Sequence, residues 1–180
     1  MSAMTARGSV GPGDAAPRRE ARQLLPLTIA QLDAVMVIET SAYAFPWTRG
    51  NFIDSIAAGY VARVLWGDAS QLLGYYIAMA GVDEMHLLNI TVAPAFQGRG
   101  HARFMLDDLV ADCRQRQAKQ LWLEVRESNA RARAVYLHLG FQHIGQRKDY
   151  YPAARGRRED ATVMALAIRP AGDEVRDALD

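Results

Sequence analysis

The stretch of sequence that decides the fold spans residues 89–103 and reads NITVAPAFQGRGHAR. Its β-branched residues up to Val92 predict the end of a strand, and Pro94 cannot continue a hydrogen-bonded ladder. Gly100 then begins a helix, whose first N–H groups lack partners and carry the positive end of the helix dipole. Gly98 and Gly100 also let a ligand approach the backbone without a β-carbon in the way. These are the properties of a pyrophosphate-binding turn.

The same residues exclude two better-known phosphate-binding loops. A dinucleotide-binding G-x-G-x-x-G motif would need a glycine in place of Arg103. A Walker A loop would need Gly-Lys-Ser or Gly-Lys-Thr after the turn, and the sequence has neither there. On these residues alone, a strand–turn–helix connection whose glycines serve only the turn is as good an interpretation as an anion site.

Strand and helix patterns on both sides of this turn predict an α/β fold. Short apolar runs predict strands, and apolar residues three and four apart predict helices. The predicted strands cover residues 24–27, 60–66, 72–82, 84–92, 121–125, 141–150 and 162–168, and the predicted helices cover 28–43, 48–59, 100–117 and 129–139. Consecutive strands followed by alternating strands and helices imply a single domain with a mixed, mostly antiparallel central sheet, helices on both faces and a parallel crossover.

Composition limits the class of function. The 180 residues are 50% hydrophobic and 23% charged, which is typical of one globular domain. Lys and Arg number 21 and Asp and Glu number 20, so the positive excess of nucleic-acid-binding proteins is missing and we expect no DNA partner. One cysteine allows no internal disulfide and no cysteine-rich zinc site. We expect no metal and, since no apolar run approaches roughly 20 residues, no membrane partner; a cytoplasmic location fits both the cysteine count and the lack of a span.

The two ends of the chain differ from its middle. Residues 1–22 are rich in Gly, Pro, Ala and charge, and they lack the apolar stretch of about 7–15 residues that a secretory signal needs. They are predicted to be a disordered N-terminal extension; a transit peptide is the alternative, against which the prolines and glycines argue. Residues 169–180 are predicted to be a polar C-terminal tail, so the domain covers residues 24–168.

The sequence QGRGHA at residues 97–102 resembles the Q/R-x-x-G-x-G/A signature of the GCN5-related N-acetyltransferases. In that family this turn binds the pyrophosphate of acetyl-coenzyme A, and the fold contains a parallel pair of strands that splay apart. The order of elements from residue 24 to 168 is similar to that fold. The resemblance implies that acetyl-coenzyme A is the co-substrate and that it contacts Ile90, Thr91, Val92, Gln97, Gly98, Arg99, Gly100, His101, Ala102, Arg103 and Asn129.

Further segments are similar to one branch of this family, the ribosomal-protein-alanine N-acetyltransferases, or RimI branch. They read AFPW at 44–47, WLEVR at 122–126 with SN at 128–129, Y and LGF at 136 and 139–141, and YYP at 150–152 with REDA at 158–161. Enzymes of this branch acetylate the N-terminal alanine of small-subunit ribosomal protein eighteen. The resemblance implies the same reaction here, with the N-terminal peptide of a ribosomal protein as acceptor and the ribosome or an assembly intermediate as a further candidate partner.

Two other functions stay open beside this one. The first is the same acetyl transfer to other protein N-termini or to a small amine, because relatives with one fold differ in substrate through small loop changes. The second is a ribosome-assembly binding module that keeps the fold without catalysis. An intact glycine turn together with Glu124 and Tyr136 argues against the second, because a binding module would not need all three.

Glu124 lies in the otherwise apolar strand LWLEV. A carboxylate there is costly unless it is paired, hydrated or used in chemistry. An ion pair with an arginine on a neighbouring strand is one interpretation, and the family resemblance assigns Glu124 the role of general base. The acceptor would be an α-amine, whose ordinary pKa of about 7.7–8.0 leaves about a tenth of it neutral near pH 7. A weak base acting through a water molecule is therefore sufficient.

Tyr136 lies on the helix ARAVYLHLGF. Core packing is the usual role of a helical tyrosine, whereas the resemblance makes it the general acid that protonates the departing coenzyme A thiolate. Asn129 at the start of that helix is predicted to cap it, a role compatible with touching the coenzyme.

Other residues have simpler interpretations. Cys113 falls on the apolar face of its helix and is predicted to be a core residue. The basic run 155–158 is predicted to be a solvated loop, with an RNA contact as the alternative. The aromatic segments 45–47 and 150–152 are predicted to flank a peptide groove, as in the RimI branch, with core or loop packing as the alternative.

Overall fold

The computed structural model of the protein describes residues 21–169, so the predicted N-terminal extension and C-terminal tail lie almost entirely outside the described residues. Seven strands form one sheet in the order β1-β2-β3-β4-β5-β7-β6. The strands are β1 (Gln23–Pro26), β2 (Val61–Trp66), β3 (Leu72–Ala80), β4 (Glu84–Val92), β5 (Gln120–Arg126), β6 (Gln142–Pro152) and β7 (Arg158–Ala167). The helices are α1 (Leu32–Ala42), α2 (Arg49–Ala57), α3 (His101–Gln115) and α4 (Ala130–His138).

The helices begin where the sequence predicts, because local caps set their first residues. The Gln31 side chain accepts a hydrogen bond from the Thr28 backbone N–H at 2.8 Å. Thr28 and Gln31 thus form a capping box around a short 3-10 turn that leads into α1. The Thr48 hydroxyl accepts from the Asn51 N–H at 3.3 Å and caps α2. Gly100, with φ +77°, precedes the first residue of α3. Side chains within three residues therefore fix the start of α1 and α2, whereas α3 begins after a left-handed glycine.

Helices cover both faces of the sheet, as predicted. On one face, residues of α3 such as Met105 and Leu109 share a core with Tyr76 of β3. On the other face, Val35 of α1 and Phe52 of α2 pack with Tyr75 and its neighbours. Adjacent residues of a strand point to opposite faces, so β3 supplies apolar side chains to both cores. This explains why its sequence is apolar throughout and does not alternate.

A parallel pair of strands splays apart in the middle of the sheet. The parallel pairing of β4 and β5 extends only from Glu84–Gln120 to Leu87–Leu123. Beyond that point β4 continues beside β3, and β5 continues beside β7 as far as Arg126. The β3–β4 register skips Leu88, and a bulge of this kind bends a strand. The bulge thus lies where β4 leaves β5, and it opens the sheet from Leu88 and Glu124 onward.

The structure corrects the predicted boundaries of the last two strands. β7 begins at Arg158, four residues before the prediction, and β6 extends to Pro152. Residues 158–160 are polar, so they do not show the apolar pattern of a strand, yet Arg158 pairs with Pro152. The Arg158 guanidinium also donates to the carbonyls of Asp149 and Tyr150, which removes it from the predicted solvated basic loop.

Two features are absent from residues 21–169. No helix in this range is long and apolar enough to cross a membrane. Within the same range, no group of three or more His, Cys, Asp or Glu side chains has an arrangement that could hold a metal ion. Cys113 is buried in the core on α3, as predicted, and burial raises the pKa of its thiol to about 11.

Candidate active site

The splay between β4 and β5 leaves a cleft on the side of α3 and α4. This first cleft has a volume of about 770 Å³, and its walls are the edge of β4, the glycine turn before α3, and α4. It contains all the coenzyme contacts implied by the family resemblance except Arg99. Those lining residues are Ile90, Thr91, Val92, Gln97, Gly98, Gly100, His101, Ala102, Arg103 and Asn129. A single turn, a strand edge and a helix start therefore bring the predicted residues together.

The glycine turn has the geometry that a pyrophosphate requires. Gly98 and Gly100 have φ of +81° and +77°, a backbone conformation that side chains with a β-carbon rarely adopt. A β-carbon added to Gly100 would meet no atom within 4 Å, so the space above it is open to a ligand. The first N–H groups of α3 lie directly after this residue. The turn thus fits the diphosphate group of coenzyme A.

Two side chains of the turn bond within the protein. The Gln97 Nε2 donates to the Val92 carbonyl at 3.2 Å and ties the turn to β4. The Arg99 Nη2 donates to the Ala95 carbonyl at 3.4 Å, and its guanidinium lies 5.5 Å from the centre of the Phe96 ring. The Arg99 side chain consequently lies outside the lining of the first cleft, in contrast to its predicted coenzyme contact. A signature identifies the positions of a turn, but it does not determine which way their side chains point.

A second cleft of about 610 Å³ lies at the same opening of the sheet. Residues 44–47 and Tyr151-Pro152 form part of its wall, so both aromatic segments border a cleft, and its use as a peptide groove stays a prediction. The two clefts share five lining residues, which are Tyr43, Ile90, Asn129, Ala132 and Tyr136. Because these residues border both spaces, a ligand in one cleft can meet a ligand in the other beside Tyr136.

Tyr136 packs in the core and also borders both clefts, and its role as general acid stays a prediction. Its ring packs at 5.5 Å from that of Phe141, and only 8% of the residue is exposed. Within residues 21–169 its hydroxyl has no hydrogen-bond partner, although the residue lines both clefts. Burial, and then the nearby Tyr43 and Tyr151, raise the pKa of this phenol above its ordinary value of 10. The hydroxyl therefore holds its proton at neutral pH and can donate it into the clefts.

Asn129 caps α4 and also lies in the wall of the clefts, and its coenzyme contact stays a prediction. Its side-chain Oδ1 accepts a hydrogen bond from the Ala132 N–H at 3.1 Å, which confirms it as the cap of α4. The residue borders both clefts at the same time. The cap fixes the start of the helix that carries Tyr136, so its position relative to the clefts is set by a bond within three residues.

Glu124 is the first residue of β5 beyond its last pair with β4, and it lines the second cleft. Its Oε1 is 3.1 Å from the Nε of Arg147, and 14% of the Glu124 side chain is exposed, against 54% for Arg147. The predicted ion pair with an arginine is therefore confirmed, but this arginine is not on a strand next to β5. Arg147 lies on β6, which is separated from β5 by β7. Glu124 is thus both paired and open to the cleft.

Tyr151 connects the same strand to the wall of the second cleft. Its hydroxyl donates to the Glu124 carbonyl at 2.9 Å. Burial, and next the charge of Glu124, raise the pKa of this phenol. The hydroxyl remains protonated and fixes the end of β6 against β5.

Arg126 joins segments that are far apart in sequence at the mouth of the second cleft. Its Nη1 donates to the Pro152 carbonyl at 2.9 Å and to the Glu159 carboxylate at 3.2 Å. Its guanidinium lies 4.5 Å from the centre of the Tyr151 ring. Glu159 also accepts from the Ser128 N–H at 2.6 Å. Hydrogen bonding by Ser128, through its side chain first, lowers the pKa of the Glu159 carboxyl. Most of the segments that resemble the RimI branch meet at this one network.

Sequence reasoning missed Glu39, a buried carboxylate on α1 that lines the second cleft. Only 1% of it is exposed, and it accepts hydrogen bonds from the Trp47 N–H at 2.7 Å, from the Tyr75 hydroxyl and from the Asn89 side chain at 3.4 Å. The Trp47 bond holds the segment after α1 against the helix. The sequence does indicate that this glutamate is buried, because Glu39 follows Leu32 and Val35 at helical spacing on the apolar face of α1.

Tyr43 was missed as well, and no sequence signal marks it. Its hydroxyl donates to the Ile90 carbonyl at 3.3 Å and lies 2.9 Å from the Thr91 Oγ1. Burial raises the pKa of this phenol. Tyr43 therefore attaches the end of α1 to the free edge of β4, at the border between the two clefts.

Comparison with known proteins is consistent with this geometry. The model of the acetyltransferase (GNAT) family matches residues 32–141. A Salmonella typhimurium protein, [ribosomal protein bS18]-alanine N-acetyltransferase, is 41% identical over 142 residues, which cover 79% of this chain and 95% of that protein. The Haemophilus influenzae protein of the same name is 38% identical over 73% of this chain and 88% of its own length.

Solved structures give the same result. The crystal structure of the ribosomal-protein-S18-alanine N-acetyltransferase from Escherichia coli superposes with a TM-score of 0.76 at 37% identity, covering 85% of this chain and 97% of that one. Ard1 from Thermoplasma volcanium, at 19% identity and a TM-score of 0.73, shares the fold. The family uses acetyl-coenzyme A as its co-substrate. The chain belongs to the GCN5-related N-acetyltransferase family, in its ribosomal-protein-alanine N-acetyltransferase branch.

Proposed function

We propose that this protein transfers the acetyl group of acetyl-coenzyme A to the α-amino group of the N-terminal alanine of ribosomal protein bS18. The observation that carries the proposal is the meeting of two clefts at Tyr136, with Glu124 in the wall of the second. The first cleft fits the coenzyme, and the second is open to a chain end. Relatives at about 40% identity bear names that state this acceptor. The proposed acceptor places the reaction beside ribosomal protein synthesis in the cytoplasm.

The first cleft binds and orients the coenzyme. Backbone N–H groups at the start of α3 hold the diphosphate, and Gly98 and Gly100 allow it to approach. The edge of β4 from Ile90 to Val92, which no longer pairs with β5, lies along the path from the turn to Tyr136. Acetyl-coenzyme A supplies the acetyl group as an activated thioester. Binding at these three places orients that group toward the second cleft.

Glu124 and Tyr136 move the protons. Glu124 accepts the proton that the α-ammonium group loses, directly or through one water molecule, and the neutral nitrogen attacks the carbonyl carbon. A new carbon–nitrogen bond forms and the carbon–sulfur bond breaks, and the nitrogen, which is cationic after the attack, loses its second proton to water. Tyr136 regains from water the proton that it gives to sulfur. Tyr136 donates its phenolic proton to the departing sulfur, which needs it because an ordinary thiol has a pKa of about 8.5. The attack is direct, with no acetylated enzyme residue.

Mass spectrometry of acetylated peptides tests the proposed acceptor. The purified protein is incubated with acetyl-coenzyme A and a peptide that begins with the N-terminal alanine of bS18. We expect one acetyl group, located on the α-nitrogen by fragmentation. Matched controls are the same peptide with a blocked N terminus, the same peptide with its first residue changed, and a small polyamine.

The outcomes separate this proposal from the alternatives. Acetylation of the polyamine or of lysine side chains, without acetylation of the alanine peptide, would contradict the acceptor while leaving the chemistry intact. Equal rates with any first residue would indicate a broad N-terminal acetyltransferase. Binding of the coenzyme without turnover of any acceptor would point to a binding module.

A further inference from the structure

Arg131 crosses the first cleft from α4 to the glycine turn. It lies in the first turn of α4 and lines the cleft opposite Gly98. Its Nη1 donates to the Gln97 Oε1 at 3.3 Å. Its Nη2 is 3.6 Å from the place that a β-carbon on Gly98 would occupy. The guanidinium therefore lies over the part of the turn that leaves room for a ligand.

The charge of Arg131 is not neutralised by a carboxylate. Among residues 21–169, no Asp or Glu lies within ion-pair distance of it, and its guanidinium donates to the neutral amide of Gln97. The two other arginines near the turn are differently placed. Arg103 is 3.8 Å from the Asp107 carboxylate, and Arg99 lies against the Phe96 ring. Arg131 thus adds an uncompensated positive charge to the wall that faces the turn.

We infer that Arg131 is a further coenzyme-binding residue, which clamps the diphosphate against the glycine turn from the side of α4. This inference rests on the proposed function, because it requires coenzyme A in the first cleft. A guanidinium forms two parallel, charge-assisted hydrogen bonds with phosphate oxygens, which are stronger than its bond to a neutral amide. On binding, Arg131 exchanges the Gln97 carbonyl oxygen for the diphosphate.

Binding of the diphosphate by Arg131 also affects Tyr136, the proposed general acid. Tyr136 lies on α4, five residues after Arg131, so a contact between Arg131 and the coenzyme joins that helix to the same molecule whose sulfur Tyr136 protonates. The turn binds the diphosphate from one wall of the first cleft, and Arg131 binds it from the opposite wall. The two contacts together limit how far the cleft can widen. Arg131 is thereby a binding residue that also positions α4.

Paired thioesters test this role. The variant Arg131→Ala is assayed with acetyl-coenzyme A and with S-acetylpantetheine, which carries the same thioester and lacks the diphosphate. We expect kcat/KM to fall by about 10- to 100-fold with acetyl-coenzyme A, the range of a hydrogen bond to a charged group. With S-acetylpantetheine the change should stay within about threefold. Arg131→Lys should recover part of the loss at low salt, because it keeps the charge but not the paired geometry.

Arg133→Ala is the matched control, since Arg133 is on the same helix and does not line the first cleft. Calorimetric titration with coenzyme A gives a second measurement: the salt dependence of Kd should weaken in Arg131→Ala and stay unchanged in Arg133→Ala. Equal losses with both thioesters, or no loss with either, would overturn the inference. Failure of the unaltered protein to bind coenzyme A would instead overturn the proposed function, and this inference with it.

Discussion

The two clefts that meet at Tyr136 are built in different ways. The part of the first cleft that is proposed to bind phosphate comes from one continuous segment, residues 97–103, together with the start of α4. The second cleft is assembled from α1, the segment after it, β4, β5 and the end of β6, and its lining extends from Glu39 to Pro152. Its Glu39, Glu124 and Arg126 each bond to a partner on another element.

This difference indicates how each half of the site should respond to change. A turn whose geometry is set by its own glycines should lose coenzyme binding and little else when altered. A cleft held by long-range hydrogen bonds should lose stability and acceptor binding together. The residues at the junction should affect turnover while leaving both affinities near those of the unaltered protein.

The largest expected effect is in the wall of the second cleft, in Glu124→Gln, which keeps the size of the side chain and removes the proposed base. We expect kcat/KM at pH 7 to fall by about 10²–10⁴-fold. The loss should shrink as pH rises above about 8, because the acceptor amine then becomes neutral without help. A pH profile of both proteins measures this. Glu127→Gln is the control, and an unchanged rate at pH 7 would mean that Glu124 serves only its ion pair with Arg147.

Tyr136→Phe should have the next largest effect. It removes a hydroxyl that has no partner among residues 21–169, so stability should hardly change while turnover falls by about 10²-fold. The drop should be smaller for a thioester with a more acidic thiol, which leaves with less help. Equal losses for both thioesters, with chemistry rate-limiting, would assign Tyr136 to positioning.

The pKa of Tyr136 gives a related prediction on pH dependence. Burial raises this pKa above 10, so the phenol keeps its proton through pH 10 in the folded protein. Ionisation of the acid should therefore cause no decline in turnover between pH 8 and pH 10. A steady-state measurement of turnover at several pH values between 8 and 10 tests this expectation. A decline that disappears in Tyr136→Phe would show that the phenol ionises within the range.

Gly100→Val tests the first cleft alone. A branched side chain at φ +77° is strained, and it fills the space where the diphosphate binds. We expect the KM for acetyl-coenzyme A to rise by at least about tenfold, with the KM for the peptide little changed. Gly156→Val is the control, because Gly156 also has a positive φ, +68°, and open space around it, but lines neither cleft. Unchanged coenzyme affinity in a folded Gly100→Val protein would contradict the assignment of the turn.

Glu39→Gln tests the second cleft and has the smallest expected effect on rate. The amide cannot accept the hydrogen bonds of Trp47 and Tyr75 as the carboxylate does, so we expect the free energy of unfolding to fall by about 1–3 kcal/mol. The KM for the peptide should rise a few-fold while the KM for acetyl-coenzyme A stays the same. Denaturant unfolding and two-substrate kinetics measure the two changes. If only the KM for acetyl-coenzyme A rose, the expectation that the second cleft binds the peptide and the first binds the coenzyme would be contradicted.

Much of the fold could be predicted because its signals are local. Thr28, Thr48 and Asn129 cap helices through bonds to residues three positions away, and β4 has the predicted bounds. The polar start of β7 could not be predicted, since pairing with β6 makes it a strand. The splay was expected from the family resemblance, and its position depends on a bulge at Leu88 that no residue pattern marks.

The sequence by itself determined the glycine turn, the caps, and the residue types at Glu124 and Tyr136. Only the tertiary structure decided which side chains face a ligand. It turned Arg99 toward Phe96, placed Arg131 over the turn, and paired Glu124 with an arginine two strands away. The physical reason is range: backbone conformation at a cap or a left-handed glycine depends on a few neighbouring residues. The direction and partner of a long polar side chain depend on elements that meet only when the sheet has formed.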